Sequence, residues 1–285
     1  MLNVLDAINL SSTYLEKKNI SSPRLNAELL LAEVLSCKRI DLYLSFDRPL
    51  TEHEINDYRE FIRRRGNHEP LQYIIGKAEF YGNEFIVNEN VLIPRPETEI
   101  LVDEVIAKNV NSSSLKILDV GTGSGIIAVS LAKELITANF DAFDVSEEAV
   151  NIALKNASLN GVSDKINFFV ADIFNYEGNN DYYDIIVSNP PYISHEDYNN
   201  LEIDVKEYEP KISLTDLQDG LTYYKTIINK SSKWLKKDGY LFFEIGYNQG
   251  KDVENLMNEY FYDIKVVKDF QNFDRVIYGV KKWEL

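Results

Sequence analysis

Two separated segments of the 285-residue sequence hold residue types that could share one reaction. The first is Asp119-Val120-Gly121-Thr122-Gly123-Ser124-Gly125, which runs out of the apolar stretch KILDV (116–120) into a helical pattern. Glycines there let the backbone turn sharply and let a ligand approach where a Cβ would otherwise stand. The spacing is G-x-G-x-G. A dinucleotide fingerprint would need Gly or Ala at 126, where Ile126 stands, and the Lys-Ser/Thr of a phosphate-binding loop is missing. The second segment is Asn189-Pro190-Pro191-Tyr192, directly after DIIVS (184–188). Its two prolines remove two N–H donors and hold Asn189 and Pro190 extended, so carbonyl oxygens are displayed rather than paired. Such a display suits a nitrogen that carries two N–H bonds: Asn189 Oδ1 and the Pro190 carbonyl accept them, and Tyr192 stacks on a flat amide or base. An amide nitrogen is a poor nucleophile because its lone pair is delocalised. Two acceptors can orient it and let it become tetrahedral, about 3–3.5 Å from an electrophilic carbon.

Acidic residues close the neighbouring apolar runs. Asp144 ends NFDAFD (139–144), where it can accept hydrogen bonds from a ribose diol. Asp172 ends INFFVAD (166–172), and Phe174 follows two residues later; they can hold an adenine by its amino edge and by stacking. The bland alternatives are that both aspartates cap helices and Phe174 belongs to a core. Taken together, the set Gly121, Thr122, Gly123, Ser124, Gly125, Asp144, Asp172 and Phe174 fits a nucleoside without a pyrophosphate. S-adenosylmethionine is the commonest such cofactor, and S-adenosylhomocysteine would be its product. Asn189, some 64 residues beyond Gly125, would lie beside it if both segments end strands of one sheet.

The rest of the chain must build that sheet. Residues 1–75 read as four short helices in a small bundle, with Pro23 in a first turn after Ser21-Ser22 and a capping box at Thr51-Glu52-His53-Glu54. Residues 76–96 form a hairpin linker, AEFY and EFIV around a turn at Gly82-Asn83, and Pro94 and Pro96 then keep the chain extended. Residues 97–285 alternate apolar strand runs with helical patterns, which predicts a mostly parallel sheet covered on both faces. DIKVVKDF (263–270) and RVIYGV (275–280) follow without a helix between them and predict an antiparallel edge, and Lys236-Lys237-Asp238-Gly239 reads as a turn before the fifth strand.

Bulk properties narrow the function. The first 70 residues carry 10 Lys/Arg and 11 Asp/Glu, whereas the remainder carries 20 and 35, within a net charge of −16. That field repels duplex nucleic acid, so direct sequence-specific nucleic-acid binding is not expected. Arg63-Arg64-Arg65 reads as a solvated helix end. Cys37 is the single cysteine, no apolar run is long enough to span a membrane, and the start lacks the features of a secretory signal; the expectation is a cytoplasmic protein. His53, His68 and His195 are scattered, so no metal is expected.

The glycine loop followed by Asn189-Pro190-Pro191-Tyr192 resembles amino- and amide-nitrogen methyltransferases of the Rossmann-like class. Within that class, Glu69-Pro70-Leu71-Gln72-Tyr73-Ile74, Glu79-Phe80-Tyr81-Gly82 and Ile93-Pro94-Arg95-Pro96-Glu97-Thr98-Glu99 resemble the peptide chain release factor glutamine methyltransferases of the HemK/PrmC type. The resemblance spans nearly the whole chain. It implies a helical N-terminal domain that positions substrate, a hairpin linker and a seven-stranded methyltransferase domain. It further implies N5-methylation of the glutamine in the Gly-Gly-Gln motif of class 1 release factors. By position it places Gly121 to Gly125, Asp144, Phe174 and Asn189 against the cofactor, and Asn189, Pro190, Pro191 and Tyr192 against the glutamine. Arg95, Glu97 and Glu99 would border the site or equally clamp the domains, and Glu244, either near the cofactor or simply a strand-end acid, stays unassigned. Glutamine methylation of a ribosomal protein and N6-adenine methylation of DNA use the same chemistry, and a cofactor-binding scaffold is the non-enzymatic alternative.

Overall fold

The computed structural model describes residues 2–109 and 114–282. Two compact units divide it: residues 1–77 with 202–208, and residues 78–201 with 209–285.

The first unit is helical: α1 (Val4–Lys17), α2 (Pro23–Val34), α3 (Arg39–Tyr43), α4 (Glu52–Gly66) and α5 (Leu71–Ile75). Val4, Ile8, Leu15, Leu30, Leu31, Leu42, Tyr58 and Ile62 bury its core, each large apolar side chain contributing about 1.5–3 kcal/mol. The Thr51/Glu54 capping box opens α4 as expected. Two packing details and one departure from the sequence expectation follow. Ser22 takes the N-cap position of α2 at φ +48° without a side-chain cap; the adjoining carbonyls of Ser21 and Ser22 accept from Asn26 Nδ2 instead. Gly66 lies within the last turn of α4, where an added Cβ would meet the Tyr14 ring at 2.5 Å, so it serves helix packing. Arg65 is buried rather than solvated: it bonds Asn26 Oδ1 at 2.8 Å and the Glu69 carbonyl at 2.9 Å, and pairs with Asp204 at 2.7 Å. Buried Glu28 is held in the same manner by Arg24, Arg39 and Tyr43. These pairs satisfy charges that burial would otherwise penalise.

The second unit opens on a hairpin, β1 (Lys77–Phe80) and β2 (Asn83–Ile86). Its turn is Tyr81-Gly82, one residue earlier than the sequence indicates, with φ of +50° and +67°; two positive φ values match the twist of a two-residue hairpin. Phe80 and Phe85 from the hairpin pack into this unit's core. Then follow α6 (Thr98–Asn109), β3 (Lys116–Val120), α7 (Ile126–Glu134), β4 (Asn139–Asp144), α8 (Glu147–Leu159), β5 (Ile166–Val170) and β6 (Tyr183–Ser188). Beyond them come α9 (His195–Asn199), α10 (Ile203–Tyr208, counted with the first unit), α11 (Lys211–Leu214), α12 (Thr222–Trp234), β7 (Leu235–Glu244), α13 (Gly250–Met257), β8 (Phe261–Lys268) and β9 (Asp274–Lys281).

The seven-stranded sheet runs in the order β5-β4-β3-β6-β7-β9-β8. The strands from β5 to β7 are parallel and β9 is antiparallel to both neighbours. This is the mixed, mostly parallel α/β fold of a Rossmann-like methyltransferase. Alternate residues feed two cores. Ile117, Ile185 and Phe242 face the side covered by α6 and α7, while Leu118, Ile186 and Phe243 face Tyr224, Trp234 and Val253 of α12 and α13. That is the two-sided burial a parallel sheet requires. Lys236 to Gly239 is a bulge inside β7 rather than a turn before it: the register with β6 shifts between Tyr183 and Ile185, and Asp238 has φ +59°.

Candidate active site

Strand order reverses between β3 and β6, and that is where ligands bind on such sheets. Val120 and Ser188, the last residues of these strands, are register partners. Ser188 Oγ also donates to the Val120 carbonyl at 2.7 Å. The glycine loop and Asn189 therefore leave the sheet side by side. Asp144 closes β4 in the next position, paired with Val170 of β5.

Around these strand ends lies a cavity of about 290 Å³, near the small end of the range for ligand pockets. Gly121, Thr122, Gly123, Ser124, Asp144, Asp172, Phe174, Asn189, Pro190 and Pro191 all line it; Gly125 and Tyr192 do not. The glycines divide by role. Gly121 and Gly123 have φ of +73° and +55°, and a Cβ on either would point into open space. Gly125, at φ +82°, backs onto α8, where a Cβ would meet Ala153 Cβ at 3.1 Å. The loop is held open from outside: Asn156 Nδ2, on α8, donates to the Ser124 carbonyl at 2.9 Å.

Asp144 accepts from Gly123 N at 2.9 Å through Oδ2 and from Ser146 N at 3.0 Å through Oδ1. Burial raises its carboxyl above the ordinary range against the pull of these N–H groups. Ser146, not Asp144, caps α8. Asp172 makes an Asx turn, accepting from Phe174 N at 2.9 Å. Phe174 is not core: it is 44 % exposed, its ring 5.3 Å from that of Tyr223, a cavity residue with no sequence signal of its own.

Under the loop, Asp119 is fully buried. Burial pushes its carboxyl from 3.8 up to about 7, only partly offset by the Thr122 hydroxyl that donates to it at 2.7 Å. A carboxyl with a raised folded-state pKa stabilises fully below its unfolded pKa, and the contribution is lost as pH climbs through the folded value. The stability of the unsubstituted protein relative to Asp119→Asn should thus fall between about pH 4 and about pH 7. Paired thermal melts across that range check it; a difference flat in pH contradicts it.

The Asn189 segment is braced by residues the sequence did not assign. Asn189 Nδ2 donates to Thr98 Oγ1 at 3.4 Å, Thr98 donates to Glu244 Oε2 at 2.6 Å, and the Tyr192 hydroxyl donates to Glu244 Oε1 at 3.2 Å. Burial raises the Glu244 carboxyl, and burial followed by the nearby Glu244 charge raises the Tyr192 phenol. Gln249 Nε2 donates to the Tyr192 carbonyl at 2.9 Å and to that of Gly220 at 3.3 Å. Gly220 has φ +77°, and a Cβ there would stand 2.3 Å from the Tyr192 carbonyl oxygen. Arg95 is engaged by buried Glu209, which also accepts from Ile93 N, and Glu99 accepts from Tyr81 N. The only hint of these partners in the sequence is that Arg95, Thr98 and Glu99 share one motif. Among the described residues no group of three or more His, Cys, Asp and Glu is arranged to hold a metal ion, and no helix is long and apolar enough to cross a membrane.

Residues 6–76 match the model of the PrmC N-terminal domain, and residues 96–204 match that of the methyltransferase small domain. A solved methyltransferase from Pyrococcus furiosus superposes with a TM-score of 0.51 at 14% identity, covering 72% of this chain and 91% of that one. That likeness shows the fold. The release factor glutamine methyltransferase of Fusobacterium nucleatum is 42% identical over 97% of this chain and 78% of its own length. The protein of the same name from Chlorobaculum tepidum is 40% identical over 96% of this chain and 95% of its own. Similarity of this extent, through both units and across the site, makes the chain a member of the release factor glutamine methyltransferase family.

Proposed function

We propose that this protein transfers a methyl group from S-adenosylmethionine to the side-chain N5 of the glutamine in the Gly-Gly-Gln motif of class 1 peptide chain release factors, in the cytoplasm. The observation that supports the reading most is the pairing of Val120 with Ser188, which brings the glycine loop and Asn189-Pro190-Pro191 to one cavity, with Tyr192 just behind them.

The residues fit the cofactor. The open space over Gly121 and Gly123 admits a ligand where other residues would place a Cβ. Asp144 keeps acceptor capacity for a ribose diol, and the half-exposed Phe174 and Asp172 suit an adenine. Bound S-adenosylmethionine supplies a methyl group on a sulfonium, an electrophile that needs no further activation, and its product is S-adenosylhomocysteine. Asn189 Oδ1 and the Pro190 carbonyl accept the two N–H bonds of the glutamine amide. Pro191 keeps these acceptors splayed and Tyr192 packs on the amide plane. Orientation is the main catalytic contribution, because the nitrogen's lone pair must leave conjugation as it forms the new bond. The extra proton of the methylated nitrogen then passes to solvent. The helical first unit positions the release factor.

The test is transfer of labelled methyl from S-adenosylmethionine by the purified protein, offered release factor, ribosomal protein or DNA. Label on the release factor supports the reading. Label on ribosomal protein or DNA alone moves the substrate, and cofactor binding without transfer to any of them supports a scaffold.

A further inference from the structure

The amide of Asn189 has two chemically opposite ends, and only one of them can accept a substrate N–H. Its Nδ2 is committed to Thr98 Oγ1, whose own hydrogen goes to Glu244 Oε2 at 2.6 Å, while Tyr192 donates to the other carboxylate oxygen. The partners come from distant places: Thr98 opens α6, Glu244 ends β7, and Asn189 and Tyr192 follow β6. Thr98 and Glu244 are each 1 % exposed. A carboxylate only accepts hydrogen bonds, so it sets the direction of every hydrogen along the chain. Thr98 has one hydrogen, spends it on Glu244, and turns lone pairs toward Asn189. Asn189 must answer with its NH₂ end, which leaves Oδ1 as the free acceptor on a residue that lines the cavity.

We propose that Thr98 and Glu244 are positioning residues for methyl transfer: through the Thr98 hydroxyl, the Glu244 carboxylate locks the Asn189 amide with its oxygen available to the substrate nitrogen. This rests on the reading of Asn189 as the substrate's acceptor. Without the lock the amide can rotate by about half a turn and meet the substrate NH₂ donor to donor, the two-fold ambiguity inherent in an asparagine terminus. Tyr192 is fixed by the same carboxylate, so the lock sets the acceptor and the stacking ring together. Burial works most strongly against the ionised form of Glu244 and Glu97 adds to that, while the bonds from Thr98 and Tyr192 and the charge of Arg275 favour it.

The experiment compares Thr98→Val, Thr98→Ser and Glu244→Gln, each alone and the valine variant also with Asn189→Ala, with thermal melts to score folding. Thr98→Val should lower kcat about 10- to 100-fold, with cofactor Kd and release-factor KM changed less than about threefold. Thr98→Ser, which keeps the hydroxyl, should restore turnover. Glu244→Gln should fall with the valine variant, because its NH₂ end reverses one hydrogen of the chain. In the Asn189→Ala background Thr98→Val should have no further effect, since the group it orients is gone. A valine variant as fast as the unsubstituted protein overturns the proposal. So does an equal loss in both backgrounds, which would mark general damage. If the valine variant does not fold, the serine and glutamine variants decide: loss in the first or normal turnover in the second overturns the lock. Full activity of Asn189→Ala alone would instead overturn the reading of the site.

Discussion

Asn189→Ala should lower kcat for methyl transfer by about 10²- to 10³-fold, the usual cost of deleting one preorganised hydrogen-bonding group at a reacting centre. The alanine removes one of two acceptors for the substrate's N–H bonds. The amide nitrogen then reaches its tetrahedral transition state with one N–H unpaired in a site partly closed to water. The cradle is separate: Gly121, Gly123 and Asp144 hang from β3 and β4, whose ends do not depend on the Asn189 side chain. Cofactor Kd should consequently change less than about tenfold, or about 1.4 kcal/mol. Single-turnover rates and calorimetric binding on the same preparation measure both. Loss of cofactor binding with an unchanged rate in the remaining complex would show that Asn189 serves the cofactor and not the amide.

Gly123→Val and Gly125→Ala should fail in opposite ways. At Gly123 the backbone has φ +55° and open space beyond, so valine adds strain of about 1–2 kcal/mol and sends its methyl groups into the cavity. Cofactor affinity should drop at least about 100-fold, near 2.7 kcal/mol, in a protein that still folds. At Gly125 the added methyl meets Ala153 of α8 at 3.1 Å, away from the cavity. Gly125→Ala should lower the melting temperature by several degrees, while the folded fraction binds cofactor within a fewfold of normal. Thermal melts and calorimetry separate the two, and equal losses of affinity would contradict the division of labour within the loop.

These contrasts also mark how far the site was legible before the fold was seen. The glycine loop and Asn189 to Tyr192 announce themselves because their chemistry is local: alternating glycines and paired prolines dictate backbone geometry wherever they occur. The runs of β3 and β6 are equally plain, since burial on both faces leaves them mostly apolar, while β4 carries Asp141 between its buried residues. What brings the two motifs together is the β3–β6 pairing of residues 68 positions apart, which no local pattern encodes. The roles of Thr98 and Glu244, and Gln249 and Gly220 altogether, are hidden for the same reason: each acts on the Asn189 segment from another element. Arg65 misled because three consecutive arginines at a helix end resemble a solvated tip. Its partners, buried Asn26 and partly buried Asp204, lie far before and far after it in the chain. Short helices such as α9 and α11 follow from side-chain caps and prolines rather than periodicity, so a search for amphipathic repeats passes over them.

Peptide mass spectrometry of release factor incubated with this protein and S-adenosylmethionine reads directly whether a methyl group lands on one amide nitrogen. The expected result is a gain of about one methyl, on the order of 14 daltons, on the Gly-Gly-Gln glutamine, strongly diminished at a matched early time with Asn189→Ala because an N–H acceptor is lost. An unmodified glutamine alongside normal cofactor binding, or an undiminished gain with Asn189→Ala, would contradict it.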